Sequence, residues 1–153
     1  MRGVRWMVSL SVLAAALVFG GRSASAQTCA ITVTPVSFGV YDVFSSTPLS
    51  TTGSVTYLCT GNVRTITIWM SKGSGTTNNP RQMVGGTNRL NYYLCQDAAC
   101  NTLWGDMAYP TDYGPVTPIL RTNVTLPIYG RIPAGQDVPT GTYTDTLLVE
   151  IDY

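Results

Sequence analysis

The stretch Tyr143-Thr144-Asp145-Thr146-Leu147-Leu148-Val149-Glu150-Ile151-Asp152-Tyr153 decides the fold. Tyr143, Asp145, Leu147, Val149, Ile151 and Tyr153 fall on one face of an extended chain. Thr144, Thr146, Leu148, Glu150 and Asp152 fall on the other. This period-two alternation predicts a half-buried strand over 143–153. The sequence ends in that alternation, so the strand is expected to form either an ordinary edge or the rim of a gap that another polypeptide fills.

Similar runs recur upstream. Cys29, Ile31 and Val33 share one face of a first strand that Pro35 ends. Val55, Tyr57 and Cys59 share a face of the next, and Ile66, Ile68 and Met70 mark a third. Leu90, Tyr92 and Leu94 mark a fourth, and Val124, Leu126 and Ile128 a later one. Turn-forming clusters separate them: Gly73-Ser74-Gly75, Asn78-Asn79-Pro80, Gly85-Gly86 and Pro139-Thr140-Gly141. Residues 105–118, rich in Gly, Pro and Tyr without alternation, are expected to form a long surface loop. No convincing stretch beyond the first 26 residues carries the i, i+3, i+4, i+7 spacing of an amphipathic helix. The expected fold is therefore an all-β two-layer sandwich in one domain.

Residues 1–26 read as a signal peptide: Arg2 and Arg5, an apolar run from Trp6 to Phe19, then Ala24-Ser25-Ala26 before the expected cleavage site. The run is shorter than the roughly 20 residues that span a bilayer, and no later segment is expected to span one. The expected domain is 27–153. Three of the nine basic residues fall in the leader, which leaves six against eight acids, a net charge of −2. Such a domain has no basic footprint for nucleic acid.

The four cysteines, Cys29, Cys59, Cys95 and Cys100, all lie beyond the leader. An even count in an exported chain predicts two disulfides, with three pairings open. If Cys29 and Cys59 both face the core, their sulfurs can meet. Cys95 and Cys100 flank four residues, a spacing that suits a hairpin loop.

Catalytic signals are absent. The chain has no His, hence no Ser-His-Asp or Cys-His arrangement, and no zinc-ligand spacing. Gly73-Ser74-Gly75 has no following helix to make a phosphate cradle. The scattered aspartates suit turns better than paired acid–base work. Asp145 stands out on an apolar face, where it is expected either to meet water or to pair with an Arg such as Arg131. No enzyme activity, metal or cofactor is expected. Trp104 and Tyr113, near the long loop, are the aromatic candidates for a ligand platform in an alternative reading, a carbohydrate- or surface-binding adhesin module.

The segment from Gly130 to Thr146, GRIPAGQDVPTGTYTDT, resembles the spore coat protein U domain family, as do Val36-Ser37-Phe38-Gly39-Val40-Tyr41-Asp42, Leu90-Asn91-Tyr92-Tyr93-Leu94 and Asp97-Ala98-Ala99 leading into Leu103-Trp104-Gly105-Asp106. That family includes the pilins of archaic chaperone–usher pili. The resemblance implies an immunoglobulin-like sandwich lacking its final strand, completed first by a periplasmic chaperone and then by a neighbouring subunit's donor strand. It also implies a bond between Cys29 and Cys59, and it matches Gly141 and Tyr153, twelve apart, to the C-terminal glycine and aromatic of such pilins. The implied partners are a periplasmic chaperone and usher and other pilin or coat subunits, at the cell surface after transit through the periplasm. The expected acceptor groove is lined by Ile31, Val33, Leu147, Val149, Ile151 and Tyr153. Residues 22–28 ahead of Cys29 do not alternate as a donor strand would. The chain is therefore expected to accept a strand without giving one, as a terminal or accessory subunit or a coat protein.

Overall fold

The computed structural model describes residues 26–107 and 111–153; the expected leader, apart from Ala26, and Tyr109 lie outside them. No helix occurs among the described residues. Eight strands form: β1 (Thr28–Thr34), β2 (Leu49–Thr60), β3 (Ile66–Met70), β4 (Arg81–Gly85), β5 (Asn88–Cys95), β6 (Tyr113–Val116), β7 (Val124–Ile132) and β8 (Val149–Asp152). They build two antiparallel sheets, one ordered β1-β2-β7-β5-β4 and the other β6-β3-β8. β1 and β4 are thus the edges of the larger sheet, and β6 and β8 the edges of the smaller.

Alternation accounts for the core. Val55, Tyr57 and Cys59 from β2, Leu90, Tyr92 and Leu94 from β5, and Ile128 and Ile132 from β7 point inward from the larger sheet. They meet Ile66, Ile68 and Met70 of β3, all essentially without solvent contact. Cys29 and Cys59 are register partners across β1 and β2 and are joined by a disulfide. Cys95 and Cys100 form the second.

Two strands lack a clear signal in the sequence. β4 lies between two turn clusters and carries an arginine, Arg81, on its inward face beside Met83. A charge at a core position breaks the apolar alternation by which a strand is read. β6 falls within the segment expected to be loop. It is a four-residue edge strand containing Pro115, and an edge tolerates a residue with no amide hydrogen.

The terminal strand is shorter than its alternation predicts. Only Val149–Asp152 forms a ladder, against Met70–Thr67 of β3. Upstream, Thr144 instead bridges Val84 on the β4 edge, with amide-to-carbonyl bonds of 2.8 and 3.1 Å. The segment therefore crosses from one sheet to the other. Alternation in exposure survives the crossing: Tyr143, Asp145, Leu147, Val149 and Ile151 are half-buried, whereas Thr144, Thr146 and Leu148 are exposed.

Candidate strand-acceptor cleft

The crossing leaves an opening between the sheets. β1 and β8, edges of opposite sheets, touch but share no ladder. Among the described residues β1 pairs only with β2, and β8 only with β3. Each therefore has one side of its backbone unpaired within this fold. Beside them runs a cleft of about 1230 Å³. One wall is the end of β1 and the segment 35–44; the other is 138–147 with Val149. Its floor is the core itself, with Met83, Leu90, Leu94, Ile128 and Ile132 reached from outside.

The first wall is shaped by local packing. Val36 and Phe38 lie over Gly130, where a Cβ would come within 2.8 Å of the Phe38 ring. Phe38 also meets Tyr92 edge-on, with ring centroids 5.9 Å apart. Tyr41 anchors the segment by donating to the Pro133 carbonyl at 2.9 Å and accepting from the Gln136 amide at 2.9 Å. On either side of that anchor Val40 and Phe44 are 90% and 93% exposed.

The second wall is held by Asp145. Its carboxylate accepts hydrogen bonds from the Tyr92 hydroxyl at 2.7 Å, the Ser74 amide at 2.7 Å and the Thr146 amide at 2.9 Å. It does not pair with Arg131, and the Gly73–Ser74 turn that might have cradled phosphate is occupied by this side chain. Burial, reinforced by the bond to Asp145 and that residue's charge, pushes the Tyr92 phenol well above its ordinary range. Behind the floor Arg81, fully buried, donates to the carbonyls of Met70 and Trp104 at 3.0 Å each and of Ser71 at 3.1 Å, with a longer contact to that of Asn78 at 3.4 Å. Burial lowers its pKa, against the raising influence of Tyr92, Asp106 and Asp145. The charges near the cleft thus stabilise its walls, and the Tyr92 phenol that lines it is bonded to Asp145.

Of the six residues expected in the groove, the cleft takes in Val33, Leu147 and Val149. Ile31 and Ile151 pack against the core but do not line it. Tyr153 is 56% exposed and lies beyond it. The reason is the sheet crossing, which opens the cleft beside 138–147 and leaves Val149–Asp152 laddered to β3. Sequence reasoning missed the 36–44 wall, although Val36, Phe38 and Val40 alternate within one of the quoted segments.

Trp104 cannot serve as a surface platform: it has no solvent exposure. Its ring packs toward Tyr113, centroids 6.2 Å apart, and Tyr113 is itself half-buried in β6. The inward turn at Trp104 follows from its amide bonding to the Leu94 carbonyl at 2.9 Å, which draws this stretch against β5.

Fold and cleft together define an all-β sandwich open along one seam between its sheets. The family model for the Spore Coat Protein U domain matches residues 15–150, and the chain belongs to that family. Protein U of Myxococcus xanthus is 32% identical over 132 residues, 77% of this chain and 71% of that protein. Among solved structures, a chain in the crystal structure of the CsuC–CsuE chaperone–tip adhesion subunit pre-assembly complex, from the archaic chaperone–usher Csu pili of Acinetobacter baumannii, superposes with a TM-score of 0.58 at 21% identity. That match covers 84% of this chain and 40% of the solved one. At that identity the likeness speaks to fold.

Proposed function

We propose that this chain is a non-enzymatic structural subunit of a secreted surface assembly, exported by a leader over residues 1–26 and folded over 27–153, which accepts a β-strand from a partner polypeptide. The observation that carries the proposal is the seam: two edge strands from opposite sheets, each with an unpaired backbone side, beside a cleft floored by core side chains. An extended segment laid there satisfies backbone groups of the edges and buries alternate apolar side chains. Family membership supports a coat or pilus-type role, and the solved neighbour's place in a chaperone–subunit complex supports a periplasmic chaperone as first partner. The finer role is that of a terminal or accessory pilus subunit or a coat protein, handed on through an usher.

The experiment is to express the domain with and without a periplasmic chaperone, then challenge the chaperone complex with donor-strand peptides of alternating apolar sequence. The expected result is aggregation alone, a soluble complex with the chaperone, and displacement of the chaperone by peptide. A monodisperse, thermally stable monomer that ignores every such peptide would overturn the proposal.

A further inference from the structure

A second hollow, of about 470 Å³, opens on the outer face of the larger sheet, remote from the cleft and sharing no lining residue with it. Most of that face is small and hydroxylated: Ser50, Thr52, Ser54 and Thr56 on β2, with Thr56 bonded to Thr125 of β7 at 2.8 Å. At one end the character changes. Tyr93 of β5 and Arg131 of β7 are register partners, so both side chains stand on the outer face next to one another. Asn79 and Asn101 join them at the rim.

Among the described residues the side chains of these groups make no hydrogen bond. The ion pair found among the described residues is Lys72–Asp106 at 3.3 Å; Arg131 has no carboxylate partner there. The neighbouring acid, Asp97, is turned into its own loop, where it accepts from the Thr102 amide at 2.7 Å and the Asn101 amide at 3.2 Å. The walls are stiff, made by the Cys95–Cys100 loop on one side and by Pro48 and Pro133 on the other. A pre-formed hollow spares a ligand the cost of ordering it.

We propose that this hollow binds a carboxylated sugar unit, such as a uronic acid residue of an acidic polysaccharide. A guanidinium fork matches a carboxylate in two parallel hydrogen bonds. The two carboxamides supply the donors and acceptors that neighbouring hydroxyls require. The Tyr93 ring offers an apolar face with a polar tip to a sugar ring. The volume lies within the range of small-ligand sites. Because the hollow lies on the far side of the sheet from the cleft, binding does not depend on whether a strand occupies the seam.

The test is titration of the full domain, held soluble by its chaperone or by a donor peptide, with trigalacturonate and with its methyl-esterified form. The expected result is saturable binding of the acid at concentrations up to about 10 mM, weakened about tenfold or more by Arg131→Gln and by Tyr93→Ala. Arg121→Gln, remote from the hollow, leaves it unchanged, and added salt weakens it. Asn101→Ala is a second reading should either variant fold poorly, with a smaller loss expected. No binding of the acid, equal binding of the ester, or affinity untouched by Arg131→Gln and Asn101→Ala in folded protein would each overturn the proposal.

Discussion

Tyr92, on the inward face of β5, donates its hydroxyl hydrogen to Asp145 at 2.7 Å, and so ties the larger sheet to the segment that crosses to the smaller one. The same carboxylate holds the Ser74 turn. Removing it by Asp145→Ala orphans a buried phenol and the amides of Ser74 and Thr146, and is expected to cost about 2–3 kcal/mol. Tyr92→Phe removes one bond and is expected to cost about 1 kcal/mol. Urea unfolding of both single variants and the double variant, all as donor-peptide complexes, measures the coupling. Strict additivity would deny the tie.

The raised pKa of Tyr92 makes a prediction in alkali. A phenol that holds its proton more tightly folded than unfolded contributes stability that is fully present below the unfolded value of about 10. As pH rises above that value the unfolded chain loses its proton first, so stability falls toward the higher folded pKa. Burial raises Tyr57 in the same direction, assisted by Tyr113. Ultraviolet titration is therefore expected to show two phenols ionising above the ordinary range, with Tyr92→Phe removing one of them and part of the alkaline loss.

The two disulfides should differ in weight. Cys29–Cys59 closes a separation of 30 residues and Cys95–Cys100 one of 5. The chain-entropy relation gives about 3.5 kcal/mol for the first and about 2 kcal/mol for the second. Paired Cys→Ala variants compared in denaturant are expected to rank in that order.

Arg81 is the polar keystone behind the cleft floor. Its guanidinium is the hydrogen-bond donor to the Met70, Ser71 and Trp104 carbonyls, with Asn78 at longer range. Arg81→Leu leaves those acceptors buried without it and is expected to cost about 3–5 kcal/mol. Arg81→Lys keeps the charge but loses the fork, and should recover only part of that loss. Full recovery by lysine would mean that charge rather than geometry matters.

Arg81 also marks the limit of what the sequence discloses. Strands with uninterrupted apolar alternation, such as Val55-Tyr57-Cys59 and Leu90-Tyr92-Leu94, are legible because burial follows a period of two. β4 is hidden because its inward residue is charged and is satisfied by carbonyls from distant segments. The end of the chain alternates from Tyr143 onward, but alternation reports a face and not a hydrogen-bond partner. It could not reveal that Thr144 pairs with Val84 while Val149 pairs with Met70. The displaced cleft follows from that switch. Trp104, a candidate platform only in the alternative reading, is buried for a related reason, since a loop position in sequence carries no sign of the amide bond that turns its ring inward.

The cleft supplies the last prediction. Leu147 and Val33 face it from opposite walls, and neither belongs to the fully buried core. Replacing Leu147 by Asp puts a charge where the proposed donor strand must bury apolar side chains. An uncompensated charge there is expensive, so donor-peptide affinity is expected to fall by a factor of 100 or so, about 2.7 kcal/mol. Val33→Asp should do the same more weakly, because Val33 is 40% exposed and water can reach the new carboxylate. Leu148→Asp, one residue along on the outer face, serves as the control and should bind as the parent does. The readout is displacement of chaperone by fluorescent donor peptide. If Leu147→Asp and Leu148→Asp weaken displacement equally, the peptide is not lying in this cleft, because only a ligand within it can tell the two faces of the segment apart.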